Sequence, residues 1–193
     1  MSQSWSALID ICTHNPTNYN KTDSTERRLP SGILLTLNLI IMGLDMYLTK
    51  ETYVKKWDHQ TPEERHEVNV KKGGELHPSI KTDRISGVVE EVMYWRKANA
   101  IHGWFVKNCQ DGIDQCQKAY VEIDKLIELK NLCEQVVINK TPELLAPTQG
   151  FFFGSSEVDD YYYADLADTV RVLEEEINKE EDWSVSYYYQ SSW

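Results

Sequence analysis

The chain has 193 residues, of which 41% are hydrophobic and 26% are charged, a composition typical of a soluble globular protein. Its net charge of −11 argues against sequence-independent binding of nucleic acid, because such binding depends on Lys and Arg side chains that neutralise phosphates. The length predicts one domain, since domains usually hold about 100 to 200 residues.

The first 41 residues differ from the rest of the chain. They carry three acids and three bases, so the whole net charge lies in residues 42–193. Up to Pro30 they are rich in Ser, Thr and Asn without a sustained period, which predicts disorder. We therefore expect residues 1–41 to be a disordered or non-native extension upstream of Met42, and residues 42–193 to be a single α+β domain. The alternative is a native arm whose apolar stretch packs on that domain.

That apolar stretch, GILLTLNLIIMGL, covers residues 32–44. Its thirteen residues are too few to span the roughly 30 Å of hydrocarbon in a bilayer. It also starts too late in the chain to be a signal peptide, and no small-residue cleavage site follows it. The four cysteines have no zinc-type spacing. We therefore expect a cytoplasmic protein with free thiols, without membrane association, cofactor or metal site.

Period-2 alternation predicts three strands, near residues 43–53, 87–95 and 183–192. In the first, Leu44, Met46 and Leu48 alternate with more polar residues. The second has apolar residues on both faces, which favours a central strand. In the third, the expected inward side chains are those of Trp183, Val185, Tyr187 and Tyr189. The charged stretch between the first two strands, residues 55–83, predicts a loop with one short helix at Pro62.

Helical spacing of apolar residues predicts three helices, near residues 96–109, 124–138 and 157–179. Asp124 is the expected N-cap of the second helix, and Ser156 with Asp159 resembles a capping box for the third. The expected buried positions are Ala98, Ile101, His102 and Phe105, then Leu126, Leu129, Cys133 and Val136, then Tyr162, Leu166, Val170, Leu173 and Ile177. Together these elements predict an α+β fold in which one small, mainly antiparallel sheet is packed by about three helices.

Five segments resemble those of an uncharacterised family of small bacteriophage and prophage proteins. They are MGLDMYL (42–48), YWRKANAIHGWFV (94–106), GFFFGS (150–155), DDYYYADL (159–166) and YYYQSSW (187–193). In that family the chain opens at the Met of MGLDMYL, which agrees with a domain start at Met42. The resemblance implies a phage-encoded protein in the host cytoplasm. It implies no catalytic residues, since no function is established for the family.

The stretch YWRKANAIHGWF, residues 94–105, contains the first candidate site. Arg96, Lys97, Asn99 and His102 lie in the first two turns of the predicted helix, where free backbone amides and the helix dipole favour an anion. We expect an anionic or aromatic ligand. The candidate ligand-binding residues are Trp95, Arg96, Asn99, His102 and Gln149.

The alternative is that this stretch is an ordinary corner of the core. Trp95, Ile101 and Phe105 would then be core residues, and His102 would be satisfied by a backbone carbonyl or by a glutamate of the preceding strand, Glu90 or Glu91. A histidine can serve as a general base, but no GxSxG elbow or Cys-His signature accompanies it. We therefore predict no catalytic residues.

The acidic segment 157–182 is the second candidate. It holds eleven acids and two bases, so most of the net charge lies on one predicted helix and its exit. Such a surface is either a solvated face or a surface that docks on a basic groove of another protein. The candidate partner-binding residues are Asp159, Asp160, Asp165, Asp168 and Glu175.

Two hypotheses follow. The first is an acidic phage-type protein that acts by binding, as an interaction or inhibitor protein directed at a host protein. The second is a binder of a small anionic or nucleotide-like ligand, or a hydrolase, that uses Arg96, Asn99 and His102. Docking through charge should weaken with ionic strength, whereas binding in an enclosed pocket should not.

Overall fold

The structure is a computed structural model that describes residues 43–179 and 183–193. The expectation of a disordered or non-native extension falls on residues 1–41 and so lies outside the described residues. Within the described ranges, three α-helices and a four-stranded antiparallel sheet with a small two-stranded sheet form an α+β arrangement. The predicted fold class is therefore confirmed.

In chain order the strands are β1 (Asp45–Tyr53), β2 (Lys71–Lys72), β3 (Glu75–Leu76), β4 (Gly87–Arg96), β5 (Ala119–Val121) and β6 (Val185–Ser192). The main sheet has the order β4-β1-β6-β5, and each neighbouring pair is antiparallel. The short strands β2 and β3 form a hairpin within the stretch that was predicted as a loop. A short 3₁₀ turn at Pro62–Glu64 occupies the position of the short helix predicted there.

The helices are α1 (Asn99–Cys109), α2 (Ile123–Asn139) and α3 (Asp160–Ile177). Each lies within about one turn of its predicted range, but α1 begins three residues after the predicted start at residue 96. Arg96 is still the last residue of β4, and Lys97 has a left-handed backbone with φ of 63°. Two cap predictions were wrong: Glu122 precedes α2, and the Asp159 side chain alone caps α3, accepting from Tyr162 N at 2.9 Å.

The structure corrects two further details of the strands. Within residues 43–179 and 183–193, β4 pairs only with β1 and lies at the edge of the sheet, although it was predicted to be central. Its outer face keeps apolar side chains in solvent, including Val89, which is 63% exposed, so apolar residues on both faces did not imply two neighbouring strands. Trp183 was expected in the core but is 89% exposed, because β6 begins only at Val185.

One hydrophobic cluster joins the sheet to the three helices. Met46 and Leu48 of β1 are fully buried, as their alternation predicts. The buried residues of α2 are the four that helical spacing predicted, Leu126, Leu129, Cys133 and Val136. Each fully buried aliphatic side chain of this kind contributes about 1.5 to 3 kcal/mol to folding.

Trp95 and Thr169 attach α3 to the end of β4. The indole Nε1 of Trp95 donates to the Thr169 hydroxyl at 2.8 Å, and both residues are buried. Trp95 lies at the end of β4 that leads into α1, and Thr169 lies in the middle of α3, so this bond fixes α3 against that end of the strand. The two predicted sites, 65 residues apart in sequence between Trp95 and Asp160, therefore meet at one corner of the fold.

Candidate functional site

The corner between β4 and α1 is built around Lys97. Its amide donates to Leu44 O at 2.8 Å, and its carbonyl accepts from Asn99 N at 2.8 Å. The left-handed backbone at this residue is unusual for a side chain other than glycine and costs about 1 kcal/mol. Strained residues of this kind persist only where the surrounding structure holds them in place, and they cluster at functional sites.

Two glycines lie against the Lys97 side chain. A Cβ placed on Gly154 would be 3.1 Å from Lys97 Cβ, and one placed on Gly43 would be 3.2 Å from Lys97 Cε. The guanidinium of Arg96 also approaches Gly43, with Nη2 at 3.8 Å from the same position. The absence of side chains at these glycines therefore lets two cationic side chains lie close to the backbone at one corner.

Asn99, the first residue of α1, fixes the neighbouring loop. Its Oδ1 accepts from Thr148 N at 3.1 Å, while its Nδ2 donates to Phe153 O at 3.0 Å and to Ser155 O at 2.8 Å. The side chain is buried. With three hydrogen bonds inside the protein, the Asn99 amide shapes the wall of the site.

A cavity of about 290 Å³ lies between the start of α1 and the start of α3. Its basic side is formed by Arg96, Lys97 and the first residues of α1, and its acidic side by residues that precede or belong to α3. The acidic side contains Glu157, Asp159, Tyr161 and Asp165. The volume is close to the lower end of the ~300 to 1,000 Å³ range of small-molecule sites.

On the basic side, the positive charges are only weakly neutralised by the protein. The Arg96 side chain is 52% exposed, and its Nε lies 4.0 Å from Asp45 Oδ1, an oxygen that also accepts from the Tyr94 hydroxyl. Lys97 has no ion-pair partner among the described residues. Ala98, which precedes α1, offers no side-chain cap to the first amides of that helix. This side of the cavity is therefore suited to an anionic group.

On the acidic side, the carboxyl of Asp165 has a raised pKa. Burial and then the carboxylates of Asp168 and Asp159 raise the pKa of Asp165 to about 6. Because Asp159 also caps α3, its carboxylate is fixed at the helix start. A partly buried carboxylate with a raised pKa in a cleft is a feature of functional sites.

His102 lies away from this cavity and is enclosed. The imidazole is 1% exposed; its Nδ1 lies 2.8 Å from the Tyr189 hydroxyl and its Nε2 lies 3.0 Å from Asp114 Oδ2. A neutral imidazole that donates from Nε2 to the carboxylate and accepts at Nδ1 from the tyrosine satisfies all three groups. Trp193 Nε1 donates to the other Asp114 oxygen at 3.2 Å.

This network joins α1, the loop before β5 and the end of β6. Burial alone would raise the pKa of Asp114, but the hydrogen bonds from His102 and Trp193 outweigh it and hold the pKa below its usual value. Burial raises the pKa of Tyr189 well above its usual value, so this tyrosine remains a neutral donor. The partners expected for His102, a backbone carbonyl or Glu90 or Glu91, were wrong. Glu90 instead lies 3.0 Å from Lys50 Nζ.

The remaining candidate residues lie apart from the cavity. Trp95 is buried and bonded to Thr169, and Gln149 is exposed on the loop. The other candidate residues of α3, Asp160, Asp168 and Glu175, are exposed and do not line the cavity. Of the two predicted sets, the structure brings together at the cavity Arg96, Asn99, Asp159 and Asp165.

Sequence reasoning placed Lys97 in the anion-favouring stretch but did not include it among the candidate ligand-binding residues, and it did not select Glu157 or Tyr161. For Lys97 the missing information was its left-handed backbone, which a lysine in a helix-like pattern does not indicate. Glu157 and Tyr161 belonged to an acidic and tyrosine-rich segment with no sign of the neighbouring cavity. Only the packing of α3 near the β4–α1 corner shows that they line the same cavity as Arg96 and Lys97.

Comparisons with family models, with curated proteins and with solved structures find no match. In the described part of the chain, no three His, Cys, Asp or Glu residues are grouped so that they could hold a metal ion. Nor does any helix in residues 43–179 and 183–193 combine the length and hydropathy needed to cross a bilayer. The cavity and the exposed surfaces are therefore the features of the described residues that bear on function.

Proposed function

We propose that the protein acts by binding, and that the cavity between α1 and α3 takes a small molecule with an anionic group such as a phosphate or a carboxylate. One observation carries the proposal: a cavity of about 290 Å³ is bordered by Arg96 and Lys97 at the uncapped start of α1. Charged side chains and helix amides together are a recurrent way of binding phosphate.

The position of His102 favours binding over hydrolysis. A general base must come within hydrogen-bond distance of the proton that it removes. Both ring nitrogens of His102 are engaged by Tyr189 and Asp114, and the ring is enclosed. The histidine therefore serves the fold, and the proposal assigns it no contact with a ligand.

The proposal is tested by titrating the protein with inorganic phosphate and recording ¹H–¹⁵N NMR spectra. We expect the backbone amide signals of Lys97, Ala100 and Ile101 to shift with a dissociation constant on the order of millimolar, as for a small anion with few contacts. Arg96→Ala should weaken these shifts at least several-fold. The matched control is Arg65→Ala, which removes an exposed arginine that does not line the cavity.

Two results would contradict the proposal. The first is an absence of shifts at the start of α1 while the spectrum shows a folded protein. The second is an equal loss of affinity in Arg96→Ala and Arg65→Ala, which would mean that phosphate senses only the overall charge of the surface.

A second candidate function is docking on a host protein through the exposed face of α3. The spacing of Asp160, Asp168 and Glu175 places their Cα positions on one side of the helix, within about a quarter of a turn. Asp168 and Glu175 have mostly exposed side chains, each 3.7 Å from a guanidinium nitrogen of Arg171. This arrangement leaves a net negative strip that a basic groove would complement.

Docking of this kind is tested by comparing the parent with a neutralised variant, Asp160→Asn, Asp168→Asn and Glu175→Gln combined. We expect a host protein captured by the parent to be lost in the variant and to dissociate as ionic strength rises. Capture of the same proteins by both, or binding that is insensitive to salt, would contradict docking by this face.

The biological setting proposed here is a phage-encoded protein in the host cytoplasm. The support is the resemblance of five segments, from MGLDMYL to YYYQSSW, to small phage and prophage proteins. Several of these segments form the cavity and its surroundings: YWRKANAIHGWFV contains the β4–α1 corner, and DDYYYADL the start of α3. A host ligand and a host protein partner are both compatible with that setting.

A further inference from the structure

The cavity contains charges of both signs that do not neutralise each other. Its basic side includes Lys97, which has no ion-pair partner among the described residues, and Arg96, whose described partner is Asp45 and not a residue of the acidic side. Opposite charges that line one cavity ordinarily form ion pairs when their side chains can reach each other. Among the described residues, no ion pair joins Arg96 or Lys97 to an acidic residue of the cavity.

Asp165 is the partly buried carboxylate of this cavity. Burial and then the carboxylates of Asp168 and Asp159 raise the pKa of Asp165 to about 6. Tyr161 lines the same cavity as Asp165.

We infer that the ligand is an amine-bearing anion, whose anionic group contacts Arg96 and Lys97 and whose ammonium group contacts Asp165 across the cavity. This inference rests on the proposed function, because it requires the anion to occupy the basic side. An ammonium group restores the missing counter-charge of Asp165, and an aromatic ring such as that of Tyr161 favours a cation at its face. A ligand with only an anionic group leaves the acidic side uncompensated.

The backbone of Lys97 fits the same assignment. Its stem is held between Gly43 and Gly154 in a left-handed conformation. Held in this way, the side chain has fewer conformations to lose when the anion binds, which favours affinity.

The experiment compares three probes by NMR titration at pH 7.5: O-phosphoethanolamine, ethyl phosphate and ethylamine. Phosphoethanolamine carries both charges, and each of the others carries one. We expect phosphoethanolamine to bind about 10-fold more tightly than ethyl phosphate, a typical contribution of one charge-assisted contact. Asp165→Asn should abolish this preference, and ethyl phosphate should bind this variant at least as tightly as the parent because a carboxylate that repels the phosphate is removed. A parent-like ¹H–¹⁵N spectrum shows that the variant is folded.

The matched control is Asp160→Asn, a neutralisation of an exposed α3 carboxylate that does not line the cavity. The preference should persist in this control. Equal binding of phosphoethanolamine and ethyl phosphate by the parent would overturn the inference and leave the anion site standing. A preference that persists in Asp165→Asn would overturn the role of Asp165. Shifts with none of the three probes would overturn the proposed function itself.

Discussion

Two groups of polar residues at or near the start of α1 have opposite environments. Asn99 and His102, both in α1, use all of their side-chain polar atoms in hydrogen bonds within the protein. The second group lines the cavity, where a ligand can reach its charged side chains. It consists of Arg96 and Lys97, which precede α1, and Asp165 of α3. The difference shows that polar residues adjacent in sequence can have different roles: some stabilise the fold, and others line the cavity.

The physical reason is the cost of burying polar groups. A buried donor or acceptor without a partner costs about 1 to 3 kcal/mol, so enclosed side chains such as His102 are surrounded by matching groups. Charges at a cavity wall retain solvent and can remain without a protein partner. The predictions below test this division, beginning with the enclosed group.

Removing the imidazole should have the largest effect on stability. His102→Ala leaves the Tyr189 hydroxyl and the Asp114 carboxylate without their partner and opens a cavity, so we expect a loss of about 2 to 4 kcal/mol in the free energy of unfolding. Urea denaturation measures this loss. The exposed His59 provides the control, since His59→Ala should stay within about 0.5 kcal/mol of the parent. A similarly small change for His102→Ala would show that the network contributes little.

Asn99→Ala should have the next largest effect. It removes the three bonds that attach residues 148–155 to the start of α1, so we expect a loss of about 1 to 3 kcal/mol together with weaker phosphate binding. Asn108→Ala is the matched control in the same helix, because Asn108 makes one described bond, to its own helix at Trp104 O. If both variants lost equal stability, the Asn99 bonds would have no special role.

Asp165→Asn should stabilise the protein near neutral pH. The pKa of this carboxyl is raised from 3.8 to about 6 in the folded state, so the native protein binds more protons than the unfolded chain between these values and stability falls as pH rises through them. After allowance for partial exposure, we expect a gain of up to about 1 kcal/mol at pH 7. The gain should disappear below about pH 4, where both states are protonated. Denaturation of parent and variant at the two pH values measures it, and a gain that is independent of pH would contradict the assignment.

The smallest expected effect concerns the backbone of Lys97. Glycine tolerates a left-handed backbone and alanine does not, so Lys97→Gly should be more stable than Lys97→Ala by about 0.5 to 1 kcal/mol. Lys140, with φ of 55° after α2, provides a positive control outside the cavity, where the same pair of substitutions should give the same order. If alanine and glycine were equivalent at position 97 alone, the strain assigned to Lys97 would be absent.

The sequence predicted the strands and helices more reliably than it predicted which of them lie next to each other. Alternation at Met46 and Leu48 and helical spacing at Leu126 and Leu129 report burial of one face, which is a local property. The position of β4 at the sheet edge depends on pairing between distant segments, so its two apolar faces were misleading.

The candidate site was only partly predictable for the same reason. The stretch around Arg96 and the acidic start of α3 were identified separately, but nothing in the sequence placed them at one cavity. The sequence also did not indicate that Lys97 is left-handed, or that the partner of His102 is Asp114, twelve residues later, and not a glutamate of β4.

The most direct test of the division between fold and cavity is a phosphate titration of the Lys97→Gly variant, followed by the amide signals of Ala100 and Ile101. This substitution removes a proposed ligand contact and at the same time relieves a strained backbone. The account predicts a folded protein, no less stable than the parent, in which the phosphate-induced shifts are strongly reduced. Shifts of the parent's size at the same phosphate concentrations would contradict the account, because the cation at the cavity would then have no part in binding.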